Sequence, residues 1–401
     1  MFLFILFIDG LISYLKQHCV EEPLIGLIHC LLHADDTAIL STDRESFLKK
    51  CNLMLDYFNE NSLSLNLSKS AYMIINGKAT DVKTDLELSN ELLVYKDEIV
   101  YLGVVYTDTG NVKHDIERYV YSKRSNITIK YNNFILRNYL APLSVKLRVL
   151  DSCVSSTLVY GCEAWGLSNV SAIETAYRMG IKRALGVREC INNEIAYLET
   201  NRETLSIRIR KQQLKFWKMF KEQVEGDVTN PLNGLLKLGN DINLKFMKYY
   251  IDLETKFTTP GVCQRELKLE FHNNITRKIN NAAEEDSESR LGVYRSVNPQ
   301  LISPQYPPML ESERILISRY RCGSHSLRIE TGRLCNPIIP REERLCKCNT
   351  AIQTLHHCLF DCPLLQHLYV LYDYATVEEA MNMDGIAILI TKIEKILKIS
   401  A

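Results

Sequence analysis

The sequence predicts an α+β fold, and three of its features carry that prediction. Strand-length apolar runs bounded by turn residues are confined to residues 1–107. From Lys113 onward apolar residues fall at helical spacing instead, in stretches dense in Lys and Arg. Cys346, Cys348, His357 and Cys362 then gather in one short stretch near the C-terminus. The expected architecture is a small sheet-bearing part, a mostly helical middle and tail, and a compact Cys/His module.

Taken in order, residues 2–17 read as a helix too continuously apolar for a surface element, so it should pack beneath a sheet, and Glu21-Glu22-Pro23 ends it. Leu27 to Ser41 reads as a β-hairpin, two apolar runs flanking Asp35 and Asp36 at or beside the tip. Thr42-Asp43 can cap a helix bearing Phe47, Leu53, Met54, Tyr57 and Phe58, an aromatic stripe expected in the core. Lys69 precedes a strand from Ala71 to Ile75, and Asn76-Gly77 is a turn signal. A short alternating segment at Leu86 to Val94 and a strand pair at Ile99 to Tyr106 follow, with Asp108 to Gly110 as the exit turn.

Composition narrows the class. With 401 residues there is room for two to four domains, and 46% apolar with 24% charged residues can bury real cores. Forty-eight basic residues balance 48 acidic ones, so attraction to nucleic acid must come from local patches. Thirteen cysteines, an odd number spread along the chain, argue against a disulfide framework and for a reducing compartment, nuclear or cytoplasmic. The N-terminal apolar run carries Asp9 early and lacks a basic leader and a small-residue cleavage pattern, so secretion is not expected. No run approaches the roughly 20 apolar residues of a membrane span.

The acidic pair is where chemistry is expected. Asn-Gly or Asp-Gly would suit a two-residue hairpin turn better, because such turns ask for positive φ at their centre. Two carboxylates about 4 Å apart repel by roughly 4 kcal/mol at an effective dielectric of 20, so a cation should sit beside them. Magnesium or manganese, hard ions that take oxygen ligands and substrate phosphates, are the natural candidates. The alternative is a solvated acidic turn.

His33-Ala-Asp35-Asp36-Thr-Ala-Ile-Leu-Ser41 resembles the Tyr-Ala-Asp-Asp-Thr box of reverse transcriptases, those of non-LTR, LINE-like retrotransposons in particular. Asn66-Leu-Ser-Lys69-Ser70 is similar to the family's lysine-bearing motif, and Tyr101-Leu102-Gly103-Val104 to its primer-grip hairpin. Phe2 to Leu11 looks like the helix after the family's Gln-Gly template motif. The resemblance implies an RNA-directed DNA polymerase palm with Asp35 and Asp36 as catalytic ligands of magnesium or manganese, Lys69 as a proton donor near pyrophosphate, and His33, Tyr101, Leu102 and Gly103 near the primer. The alternative for Lys69 is a solvated lysine at a strand start. His33 replaces the family's aromatic, and the family's first catalytic aspartate and fingers would lie upstream of Met1. The expectation is therefore a truncated polymerase, inactive alone, with 1–107 a palm remnant; the alternative is a non-catalytic nucleic-acid-binding or interaction protein derived from a retroelement.

Residues 108–166 are then expected to form a helical thumb and 167–308 a helical tail. Between Lys113 and Arg148 there are eight Lys or Arg, among them Lys123, Arg124, Lys130 and Lys146, against Asp115 and Glu117. Interleaved with Tyr119, Tyr121, Tyr131 and Tyr139, they suit the backbone of an RNA or DNA template and primer. Arg202 to Lys221 holds seven basic residues, including Arg208, Arg210, Lys211 and Lys215, against Glu203 alone, with Phe216 and Trp217 supplying an apolar face. The alternative for the first stretch is a solvated helix face, and for the second a partner helix. Gly226 to about Gly239 reads as a linker, Asn280 to Ser289 as an exposed polar stretch, and Tyr294 to Pro308 as a connector.

The last module, 309–401, holds the second chemical signal. Three thiols and one imidazole at Cys346, Cys348, His357 and Cys362 make a closed tetrahedral zinc set with no open position for catalysis. Residues five apart on a straight helix point roughly 140° apart, so the chain should bend or end its helix before Cys362. The four donor atoms are expected within about 4 Å of one another. Non-LTR elements similarly end in a Cys, Cys, His, Cys zinc knuckle. His356 and Cys358 are substitutes for the proposed ligands, and reduced core cysteines are the alternative to zinc.

Overall fold

The computed structural model describes residues 2–399 apart from 24, 27, 79–80, 89–90, 111, 166–169, 226–232, 234–235 and 237–244, and leaves aside the side chains of 2–6, 112–124, 164–165, 225 and 245–246. The N-terminal elements are α1 (Phe2–His18), β1 (Cys30–His33), β2 (Asp36–Ile39), α2 (Arg44–Glu60), β3 (Ala71–Tyr72), β4 (Leu86–Leu88), β5 (Glu91–Tyr95), β6 (Glu98–Tyr101) and β7 (Val104–Thr107). Helices follow: α3 (Val112–Arg137), α4 (Leu143–Val149), a π-helical turn Leu150–Ser155, α5 (Ser156–Val159), α6 (Cys162–Trp165), α7 (Ser171–Leu185), α8 (Asn193–Thr200) and α9 (Leu205–Glu225). Then come α10 (Lys245–Lys256), α11 (Pro260–Glu285), α12 (Arg290–Val297), α13 (Glu311–Arg321), α14 (Arg328–Thr331), a second π turn His357–Asp361, α15 (Gln366–Tyr369), α16 (Val377–Asn382) and α17 (Ile386–Ile396). The expected α+β class is met, and among the described residues no helix is long and apolar enough to cross a membrane.

Two compact units form, residues 1–122 with 161–169 and 209–263, and residues 123–160 with 170–208 and 264–401. In the first, α2 is the organising helix. Asp43 caps it by accepting the Ser46 amide at 2.8 Å. One face, Met54 and Phe58, packs with Ile8, Leu11 and Leu15 of α1 and Cys30 of β1. Its other face, Cys51 with Phe47 and Leu48, meets Leu67 and then Tyr72, Leu86, Leu88 and Leu93 of the three-stranded sheet β3-β5-β4. Each such side chain contributes about 1.5–3 kcal/mol on burial, so α2 couples the hairpin to that sheet. The aromatic stripe is core, as expected.

The strand expected from Ala71 to Ile75 is shorter, Ala71–Tyr72, and pairs parallel with β5. It stops because the chain turns at Asn76, whose φ is +53° and whose amide donates to the Asp108 carbonyl at 2.8 Å. In the same unit Trp217 of α9 is buried against Tyr250 of α10, the rings 5.2 Å apart, and its indole N–H donates to Glu254 at 2.8 Å.

The second unit is helical. Gly186 ends α7 at φ +77°, and a Cβ there would run into Ile315 of α13. Its deepest polar centre is Glu199, fully buried, which accepts from Arg321 at 3.0 Å, the Tyr294 hydroxyl at 2.8 Å and the Tyr306 hydroxyl at 3.0 Å. Those bonds explain why the connector expected over Tyr294–Pro308 is helical through Val297: Ser289 caps α12, and Tyr294 is anchored inside. The stretch Asn280–Ser289 is helical through Glu285 and mostly exposed beyond it. The linker expected at Gly226 to Gly239 lies almost wholly outside the described residues.

Candidate functional site

Two sites emerge, one in each unit. In the first, β1 and β2 pair antiparallel with His33 opposite Asp36, leaving Ala34 and Asp35 as the two-residue turn. Ala34 takes φ +54°, a conformation that glycine adopts freely and alanine does not. Asp35 and Asp36 are exposed side by side at this strained tip, and His33 is exposed beside them. Inward, Cys30 and Leu32 join the apolar core, so alternation along β1 sends His33 outward.

An ion pair holds the root of this hairpin. Glu22, just before β1, and Lys50 of α2 form a buried salt bridge. The Glu22 carboxylate also accepts the Ser41 hydroxyl at 2.9 Å and the Thr42 amide at 2.7 Å, just after β2, while Lys50 donates to the Leu40 carbonyl at 2.5 Å. Burial pushes the Glu22 carboxyl up, and the opposing hydrogen bonds from Lys50, Thr42 and Ser41 win, holding it at about 2. His29, also buried, is pushed down by burial and by Lys50. None of these three residues stood out in the sequence; a lone Glu-Glu-Pro and a lysine on an otherwise amphipathic helix give no signal of pairing.

The second hairpin, β6-β7, turns through Leu102 and Gly103 at φ +48° and +79°, between paired Tyr101 and Val104. Two positive φ values make this a type I′ turn, with Leu102 strained. Tyr101 is pushed up by burial and then by the charge of Asp36, so the two hairpins lie within electrostatic reach of each other. Lys69 ends a short 3-10 turn capped by Asn66 and is exposed.

Basic residues are distributed unevenly. Lys146, grouped by sequence with a nucleic-acid face, is instead buried, bound to Glu311 at 2.8 Å and to the Tyr139 carbonyl at 2.6 Å. Arg208 is occupied by Asp151 and Ser155. Lys130, Arg210 and Lys215 are exposed, Lys211 is half-buried, and the side chains of Lys123 and Arg124 lie outside the described residues.

The second site gathers Cys346, Cys348, His357 and Cys362, whose donor atoms lie within 4.8 Å of one another. The Cys346 and Cys362 sulfurs are 3.8 Å apart, and Cys348 Sγ is 3.2 Å from His357 Nε2. Four tetrahedral ligands with zinc to sulfur bonds of 2.3 Å put sulfurs about 3.8 Å apart, so the donor set fits the ion, though its widest pair exceeds the 4 Å expected. The knuckle closes by a bond from the Asn349 amide to the Cys346 carbonyl at 2.9 Å, with Asn349 at φ +59°. The expected bend is the π turn: the Cys362 amide bonds the His357 carbonyl at 2.9 Å, five residues back, and Cys362 is extended.

Neighbouring groups support the ligands. The Gln353 amide N–H lies 3.9 Å from Cys346 Sγ, and its oxygen accepts the Arg328 amide at 2.7 Å. A hydrogen bond from the Cys358 thiol holds Cys346 down at about 4, whereas burial pushes Cys362 up to about 12. Cys358 is thus a donor to a ligand and stands outside the four. His356 turns outward to Asp361 at 3.1 Å, which leaves His357 as the imidazole of the set.

No curated protein and no solved structure matches this chain. The hairpin-bearing first quarter, residues 1–106, matches the family model of reverse transcriptase (RNA-dependent DNA polymerase).

Proposed function

We propose that the chain is part of a non-LTR, LINE-like retrotransposon reverse transcriptase, and that by itself it binds nucleic acid without polymerising. The observation that carries the reading is the pair of strained hairpin tips, Ala34-Asp35-Asp36 and Leu102-Gly103, held within electrostatic reach inside the residues that match the polymerase family. Asp35 and Asp36 would hold magnesium or manganese, which in polymerases activates a primer hydroxyl and stabilises the leaving pyrophosphate. Among the described residues no third His, Cys, Asp or Glu joins them in a metal-binding group. Two carboxylates alone bind such ions weakly, and electrostatic preorganisation needs the whole set in place. Lys69 stays the proposed proton donor.

Exposed Lys130, Arg210 and Lys215 favour a role in backbone binding that outlasts catalysis. The Cys/His set takes zinc as a structural knuckle in the C-terminal module. Thirteen free cysteines suit a reducing nuclear or cytoplasmic setting.

Primer extension on an RNA template tests the catalytic half of this reading. No extension is expected with either metal; extension that disappears in Asp35→Asn would overturn it. Duplex binding tests the other half: log affinity should fall with log salt by about 0.9 per phosphate neutralised. Replacing Arg210, Lys211 and Lys215 by Gln should flatten that slope, and salt-independent binding would contradict it.

A further inference from the structure

A cavity of about 650 Å³ opens in the second unit, among α4, the π turn that follows it, the end of α8 and the loop before α13. That volume is in the range of small-molecule sites. We propose that it binds a nucleotide by its phosphate, apart from the acidic hairpin and from the zinc set.

Charge at the rim is positive. Arg148 and Arg202 both line the cavity, with Asp151 as the acid between them. Asp151 is already committed to Arg202 at 2.9 Å, to the Tyr177 hydroxyl at 2.8 Å and to Arg208. Glu199 also lines it, but its carboxylate is neutralised by Arg321. Arg148 is exposed, and among the described residues its guanidinium has no partner. One cationic fork is therefore free at the mouth of the cleft, the arrangement that recognises phosphate in a bidentate way.

The rest of the wall suits a base. Leu143, Leu147 and Pro304 supply an apolar side, and the Ser144 hydroxyl adds a donor beside Arg148. A carboxylate metabolite would leave much of the volume empty, whereas a phosphate with a flat heterocycle uses both the cationic and the apolar walls. Asp151 and Ser152 reach the cavity from the π turn Leu150–Ser155, an irregularity frequent at functional sites. The same chemistry is offered by a free nucleotide and by the phosphorylated end of a strand.

The test uses the full chain, without added magnesium, and fluorescence of N-methylanthraniloyl-AMP as the probe, with a 5′-phosphorylated oligothymidylate and its unphosphorylated twin as competitors. Saturable binding is expected. Arg148→Gln should weaken it roughly tenfold, the loss of a charge-assisted pair, with partial recovery in Arg148→Lys. Ser144→Trp, which fills the mouth from an exposed position, should abolish it with the circular dichroism spectrum unchanged. Competition by the phosphorylated oligomer alone would identify a strand end as the ligand; a free nucleotide is identified if AMP competes as well. Either supports the site. Equal competition by the unphosphorylated oligomer overturns it. So does binding that is indifferent to both Arg148→Gln and Ser144→Trp, loss of binding in Asp35→Asn with Asp36→Asn, or no saturation by about 1 mM probe.

Discussion

Acid should loosen the acidic hairpin β1-β2 before it loosens the core beneath it, and Glu22 is the reason. Its carboxyl is held at about 2 against an ordinary 4.5. A carboxyl depressed by folding adds stability above its unfolded value and loses it as pH falls toward the folded one. At 1.36 kcal/mol per pH unit the shift is worth about 3 kcal/mol at neutral pH, with more than half of it gone by pH 3. Because the protein has two units, global melting would blend their transitions, so the readout should be local. Hydrogen exchange in peptides covering residues 22–42 serves, compared at pH-corrected rates for the native chain, Glu22→Gln, and Glu22→Gln with Lys50→Met. The native hairpin should lose protection between pH 4.5 and 3. Glu22→Gln should lose it at neutral pH, since Lys50 is left buried without its carboxylate, a cost of about 3–5 kcal/mol. The double variant should recover much of that protection and show little change with acid beyond what His29 adds by becoming charged below its ordinary range. Unchanged protection in Glu22→Gln, or acid sensitivity identical in all three, would refute the reasoning.

Other outcomes follow from the same structure. If the Cys/His set holds zinc as proposed, a chelator should disorder the segment around Cys346 to Tyr369, visible as lost exchange protection there. Cys348→Ser and Cys362→Ser should reproduce that loss, and Cys322→Ser, a buried thiol outside the set, should leave zinc stoichiometry at one. Ala34→Gly should raise hairpin protection by about 1 kcal/mol, while Ala34→Val should lower it by at least as much, because a branched side chain resists positive φ. Should Gly and Val behave alike, the strain at the tip has no energetic weight.

Much of this was legible from residue order alone, and the limits have physical causes. Apolar runs of strand length on either side of Asp35-Asp36 announced a hairpin because run length and the polar break between them are local features of the sequence. The turn itself was not announced: Ala34 has no preference for positive φ, so only the register imposed by packing Cys30, Leu32 and Ile39 explains it. Cys/His spacing named the four residues that the fold gathers, since a candidate metal set is written in residue types. Lys146 went astray for the opposite reason. A lysine looks the same in sequence whether it faces solvent or a carboxylate brought from Glu311. The parallel pairing of Ala71–Tyr72 with Val94–Tyr95 is likewise a long-range choice that no local pattern encodes.

The π turn at His357–Asp361 makes the candidate metal site a matter of chain length. On an α-helix, positions four apart share a face and positions five apart do not. By closing a wider ring, the turn absorbs one residue and restores to a five-residue interval the alignment that four would have had. Asp361, exposed and lying after Cys358 and Leu359, is in effect the surplus residue. Its deletion should let the segment relax into regular helix with His357 and Cys362 still facing one another, whereas adding a residue at the same point should swing the sulfur away. Tolerance to shortening and intolerance to lengthening would show that the length of this turn sets which side chains can meet across it.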